Sequence, residues 1–167
     1  MSIDTSRDAE VFRIFIKAPI QKVWDYIVDP EFNGKYAYMA PASYDLTPGG
    51  QYLCLSSPEM VEFGAPPTMC DGEVLQADPP KLLVQTWGAY FTPETVAEGK
   101  RKLTWELHED DHGLTRVTVT HELENAPVTR VFVTGSDDES PGGGGGWAWI
   151  LSDLKHVLET GASMVSH

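Results

Sequence analysis

One helix has to close whatever this chain folds into. Trp147, Ile150, Leu151, Leu154 and Leu158 recur at the spacing of a single helical face, and Gly161 stands where a helix stops. The spacing predicts a helix over Trp147–Thr160, about four turns long. Almost everything ahead of it reads as strand.

In the segment 10–18, EVFRIFIKA, Phe12, Ile14 and Ile16 share one face, while Arg13 and Lys17 share the other with Val11 and Phe15. Pro19 then opens a short amphipathic helix with Ile20, Val23, Trp24 and Ile27 on one side, ending at Asp29-Pro30. Glu31–Ala40 reads as a second short helix or a loop. From Ser43 on, turn residues punctuate strands: Pro48-Gly49-Gly50 before Gln51–Ser56, and Asp78-Pro79-Pro80 between Cys70–Ala77 and Leu82–Ala89. Lys102–Glu109 and Leu114–Leu123 pair across Asp110-Asp111-His112-Gly113, with residue types that hairpin turns favour. Leu103, Trp105 and Leu107 share a face of the first of these strands, and Val117, Val119, His121 and Leu123 share one of the second. GSDDESPGGGGG, residues 135–146, is expected to be a flexible loop acting as a lid or hinge before the terminal helix.

The expected fold is α+β, an antiparallel sheet of six or seven strands with one apolar face. A single helix, about 10–12 Å across, cannot cover so wide a face. A gap lined by sheet and helix side chains follows, and such gaps hold small molecules. Trp105, His121, Trp147 and Leu151 are expected to line it, with Trp87 and Tyr52. No catalytic residue is assigned; His121 is the one titratable group on an inward face and the candidate acid or base if a reaction occurs.

The chain has 167 residues, enough for one domain at 10–161 between tails 1–9 and 162–167. With 25 acidic against 12 basic side chains, a net charge of −13, nucleic acid is excluded as a partner. Cys54 and Cys70 form neither a CxxC pair nor a zinc-ligand spacing, so free thiols, a reducing cytoplasmic setting and neither metal nor cofactor are expected. His108–His112 reads as a solvated turn, and the glycine run lacks the Lys and Ser/Thr of a phosphate loop. No apolar run is long enough to insert into a membrane. Homodimerisation through sheet edges is a possible association.

The segments IKAPIQKVWDYIVDPE, GEVLQADPPKLLVQTW, LTWELHEDDHGLTRVTVTHEL and GGWAWILSDLKHVLETG, in that order, resemble the activator of heat-shock-protein-90 ATPase homologue family, part of the START-like, polyketide-cyclase-like (SRPBCC) superfamily. The resemblance implies a helix-grip fold, a curved sheet wrapped around a long C-terminal helix over a cavity. It implies no single activity. Superfamily relatives bind hydrophobic molecules, some act as cyclases or aromatases, and the family's name raises a chaperone-activating interaction. The expected function is binding of a small, largely hydrophobic molecule, with a cyclase-like or hydrolase-like enzyme using His121, or a chaperone-ATPase activator, as alternatives.

Overall fold

The structure is a computed structural model that describes residues 8–136 and 145–165. Strand β1 (Ala9–Ile16) leads into helices α1 (Ile20–Val28) and α2 (Pro30–Asn33). Strands β2 (Ala42–Tyr44) and β3 (Gln51–Leu55), helix α3 (Pro58–Glu62), strands β4 (Thr68–Asp78) and β5 (Leu82–Ala89) and helix α4 (Pro93–Glu98) follow. Strands β6 (Arg101–Glu109) and β7 (Thr115–Glu122), helix α5 (Pro127–Thr134) and helix α6 (Gly146–Thr160) complete the order. The seven strands make one sheet in the order β1-β7-β6-β5-β4-β3-β2, each neighbouring pair antiparallel. This is the α+β antiparallel sheet the residue pattern predicts, in the helix-grip form the family resemblance implies.

Register carries the core. Phe12, Val119, Trp105 and Leu83 lie abreast across β1, β7, β6 and β5, and His121, Leu103, Gln85 and Val74 lie abreast across β7, β6, β5 and β4. Both rows are on the inner face, where Val119, Leu83, His121, Gln85 and Val74 are fully buried. On the outer face Arg13 Nε donates to Thr118 Oγ1 at 3.2 Å, between the exposed side chains of Val11 and Phe15.

Helix α6 lies on this face with Trp147, Leu151, Leu154, Val157 and Leu158 buried. It is fastened at both ends. Gly146 has φ +58°, and a Cβ there would sit 2.4 Å from the Val133 carbonyl oxygen, so only glycine lets the last turn of α5 approach the start of α6. At the other end Glu159 accepts from the Lys17 backbone N–H, and Lys155 donates to the Phe15 carbonyl.

A third fastening was not legible. Asp153, beside Leu154 and outside the apolar stripe, is fully buried. Its carboxylate accepts from the Ala37 N–H at 2.7 Å, the Ser163 hydroxyl at 2.5 Å and the Met164 N–H at 2.8 Å. Ser163 and Met164 lie in the stretch expected as a tail and are held to the domain by this carboxylate. Asp8, from the other expected tail, pairs with Arg130 together with Glu10. Asp153 also holds the loop after α2, in which Ala37 and Met39 both have φ +55°, a region non-glycine residues enter at a cost.

Three short helices went unread, and all begin with proline at the first helical position. Ser57 and Thr92 cap α3 and α4 by accepting from Met60 N–H and Thr95 N–H. Residues 137–144 of the expected lid lie outside the described residues.

Two substitutions test how α6 is held. Leu154→Ala should cost roughly 2–5 kcal/mol in urea unfolding, as for a fully buried leucine. Asp153→Ala, which strands two backbone N–H groups and a hydroxyl, should cost roughly 2–4 kcal/mol, whereas Asp25→Ala on the exposed side of α1 should change stability by under about 0.5.

Candidate functional site

The helix covers one side of the sheet and leaves the other. Next to its first turn is a cavity of about 830 Å³, within the range of small-molecule sites. Its floor is the β2–β6 half of the sheet, with Tyr44, Tyr52, Cys54, Cys70, Trp87, Leu103 and Trp105. Trp147 and Ile150 of α6 form one wall, and Tyr36–Ala40 after α2 contributes another. The segment from Met60 of α3 to Pro66, with Phe91 and the end of α5 (Val131–Val133), completes the lining. Phe63 is 85 % exposed, and Phe91 and Phe132, both partly exposed, touch with ring centroids 5.0 Å apart.

Two features set the chemistry. Among the described residues the lining holds no Asp, Glu, Lys, Arg or His. Its titratable groups are phenols and thiols, and burial pushes the Tyr36, Tyr44 and Tyr52 hydroxyls well above the ordinary phenol value, so they stay protonated. Tyr36 donates to the Tyr26 carbonyl at 3.0 Å, and Tyr44 and Tyr52 pack with centroids 4.8 Å apart. A neutral aromatic surface with few free polar atoms results.

Of the six residues expected around the gap, Trp105, Trp147, Trp87 and Tyr52 line it; His121 and Leu151 do not. Alternation along β7 correctly turns His121 inward, but two indoles stand in front of it. Trp147 Nε1 donates to His121 Nδ1 at 3.0 Å, and the Trp87 ring meets the imidazole edge-on at a centroid distance of 4.8 Å. His121 is a fully buried pin behind the wall. Since an indole only donates, Nδ1 is unprotonated and the neutral ring carries its proton on Nε2, which has no hydrogen-bond partner among the described residues. Burial pushes its pKa down to about 3. Leu151, one turn beyond Trp147, is buried in the dry contact between α6 and the sheet. Trp149 packs on Tyr38 of the loop after α2 at a centroid distance of 6.5 Å.

The lining from α3, α5 and the 36–40 loop was missed. Its signals were weak: Pro after a capping residue for α3, and apolar residues in a segment whose strained turns alternation does not describe.

The family model described as "Activator of Hsp90 ATPase homolog 1-like protein" matches residues 17–159. No curated protein sequence matches the chain. Among solved structures, the chain is similar to protein SSP2350 from Staphylococcus saprophyticus, with a TM-score of 0.65 and 20% identity over 95% of this chain and 97% of that one. It is similar to CalU16 from Micromonospora echinospora, with a TM-score of 0.61 and 19% identity over 94% of this chain and 77% of that one. DynU16, a protein in the dynemicin biosynthetic locus, gives a TM-score of 0.66 and 20% identity over 93% of this chain and 49% of that one. At these identities the likeness is one of fold. No helix among the described residues is long and apolar enough to cross a membrane.

The buried imidazole predicts a pH signature. It is neutral in the fold down to about pH 3 but takes a proton near 6.5 once unfolded. As pH falls below 6.5 protonation therefore favours the unfolded chain, and stability should fall by up to about 1.4 kcal/mol per pH unit. Between pH 6.5 and 5, above the carboxylate range, urea unfolding of the wild type should show this slope and His121→Phe should lack it.

Proposed function

We propose that this chain, which belongs to the family of Activator of Hsp90 ATPase homolog 1-like proteins, binds a small, neutral, largely hydrophobic molecule in the cavity between its sheet and its terminal helix. One observation carries the reading: about 830 Å³ of space lined by Trp87, Trp105, Trp147 and tyrosines, with no charged side chain among the described lining residues. Burying an unpaired charge against such a wall costs several kcal/mol, so the surface selects uncharged ligands. Indole and phenol rings offer area to flat or alicyclic molecules.

Binding is favoured over conversion. A general acid or base must reach the reacting atom and titrate near the working pH. His121 stands behind Trp87 and Trp147 and stays neutral at physiological pH, and the lining tyrosines stay protonated. The similar fold of DynU16, a protein in the dynemicin biosynthetic locus, supports a role toward a metabolite.

The neutral fluorophore 1-aminoanthracene should bind saturably and quench tryptophan emission. Ala42→Phe, which projects a ring into the lining, should weaken binding by at least about tenfold, or about 1.4 kcal/mol. A lipophilic-metabolite library screened by thermal shift should then yield neutral hits recovered at unchanged mass. Preference for charged ligands, or binding indifferent to Ala42→Phe, would contradict the proposal, and conversion lost in His121→Ala would make the protein an enzyme.

A further inference from the structure

Cys54 and Cys70, sixteen residues apart in sequence, are direct partners across the antiparallel β3–β4 ladder. Register partners have Cα atoms about 4.5–5.5 Å apart with both side chains on one face. Both cysteines are free, both are buried, and both belong to the cavity lining. They are the only thiols of the chain.

Their surroundings differ. Tyr52 and Cys54 lie on one face of β3, and Cys70 lies opposite Cys54 on β4. The Cys54 thiol in turn faces the Ala40 carbonyl at 3.8 Å. The neighbouring Cys70, opposed by burial and helped by Tyr52, holds the Cys54 thiol below the ordinary value. Burial, the contact with Cys54 and the nearby Asp71 charge push the Cys70 thiol well above it. One sulfur is thereby disposed to act as thiolate and its neighbour to keep its proton.

We propose that Cys54 is a nucleophile that captures neutral electrophiles of the α,β-unsaturated carbonyl class inside the cavity, with Cys70 as the proton donor. In the step Cys54 releases its proton to solvent, and its sulfur forms a bond to the β-carbon of the enone. The π electron pair of the carbon–carbon double bond moves to the α-carbon, which takes the proton of Cys70. Cys70 recovers a proton from solvent. The thiol has added across the double bond; nothing is oxidised or reduced and no group leaves. The aromatic lining supplies the confinement that brings the enone to the sulfur.

The inference rests on the cavity-binding reading, and the two can fail separately. The reduced, desalted protein is incubated with 4-phenylbut-3-en-2-one, and the saturated ketone 4-phenylbutan-2-one serves as the unreactive analogue. Intact-mass spectrometry should show one adduct per chain, mapped by peptide digestion to Cys54. The rate should level off as the enone concentration rises and should exceed that of glutathione by at least about tenfold, as confinement beside a nucleophile allows. The adduct should vanish in Cys54→Ser and form more slowly in Cys70→Ser. An adduct mapped to Cys70, a rate no greater than glutathione's, or no adduct while the saturated ketone binds would overturn the inference and leave cavity binding standing. Failure of both the saturated ketone and 1-aminoanthracene to bind would overturn both.

Discussion

A single fifteen-residue helix faces seven strands, and that mismatch of width governs the rest of the structure. Packed at about 10 Å from the sheet, a helix covers roughly two strands. Helix α6 spends this coverage at the β1 side, where Lys155 and Glu159 tie it to the end of β1 and the turn beyond. The β2–β6 half is left to short elements: α3, the end of α5 and the loop after α2. These bridge the opening without filling it, and the cavity is what remains.

Charged anchors are placed around the cavity, and one polar anchor, Asn33, stands in its lining. Asp153 binds the 36–40 loop and the 163–164 segment from the far side of α6, and Asn33 brackets β2 by donating to the Ala42 carbonyl and accepting from its N–H. His121 pins Trp147 from behind. Asp153, Asn33 and His121 thus spend hydrogen bonds on holding elements that carry lining residues, and the face turned to the cavity is mostly rings, methyls and two thiols, with Asn33 and Ser56 among them. A wall of this kind discriminates by desolvation more than by specific contacts.

The elements with many residues per period were legible. Alternation along β6 and β7 fixed which side chains turn inward, and the stripe from Trp147 to Leu158 fixed α6 almost to the residue. Periodicity assigns a face but not a depth. It could not say that Trp87 and Trp147 stand between His121 and the cavity, nor that Asp153, one step off the stripe, is buried. Short helices opened by proline carry too few residues to show a period, and α3 and α5 are the ones that complete the lining. The Cys54–Cys70 contact belongs to the same class: strand register, which only the fold reveals, brings together two residues whose sequence spacing suggests nothing.

The direct test of an under-filled sheet that accepts a neutral guest uses the five indole N–H resonances of the protein. Trp87, Trp105 and Trp147 line the cavity, whereas Trp24 is buried in α1 away from it. In a titration with naphthalene followed by ¹H–¹⁵N correlation spectroscopy, the indole signals of Trp87, Trp105 and Trp147 should shift saturably and together while that of Trp24 stays in place. Signals of the three that do not move, or that move no more than Trp24's, would contradict the account.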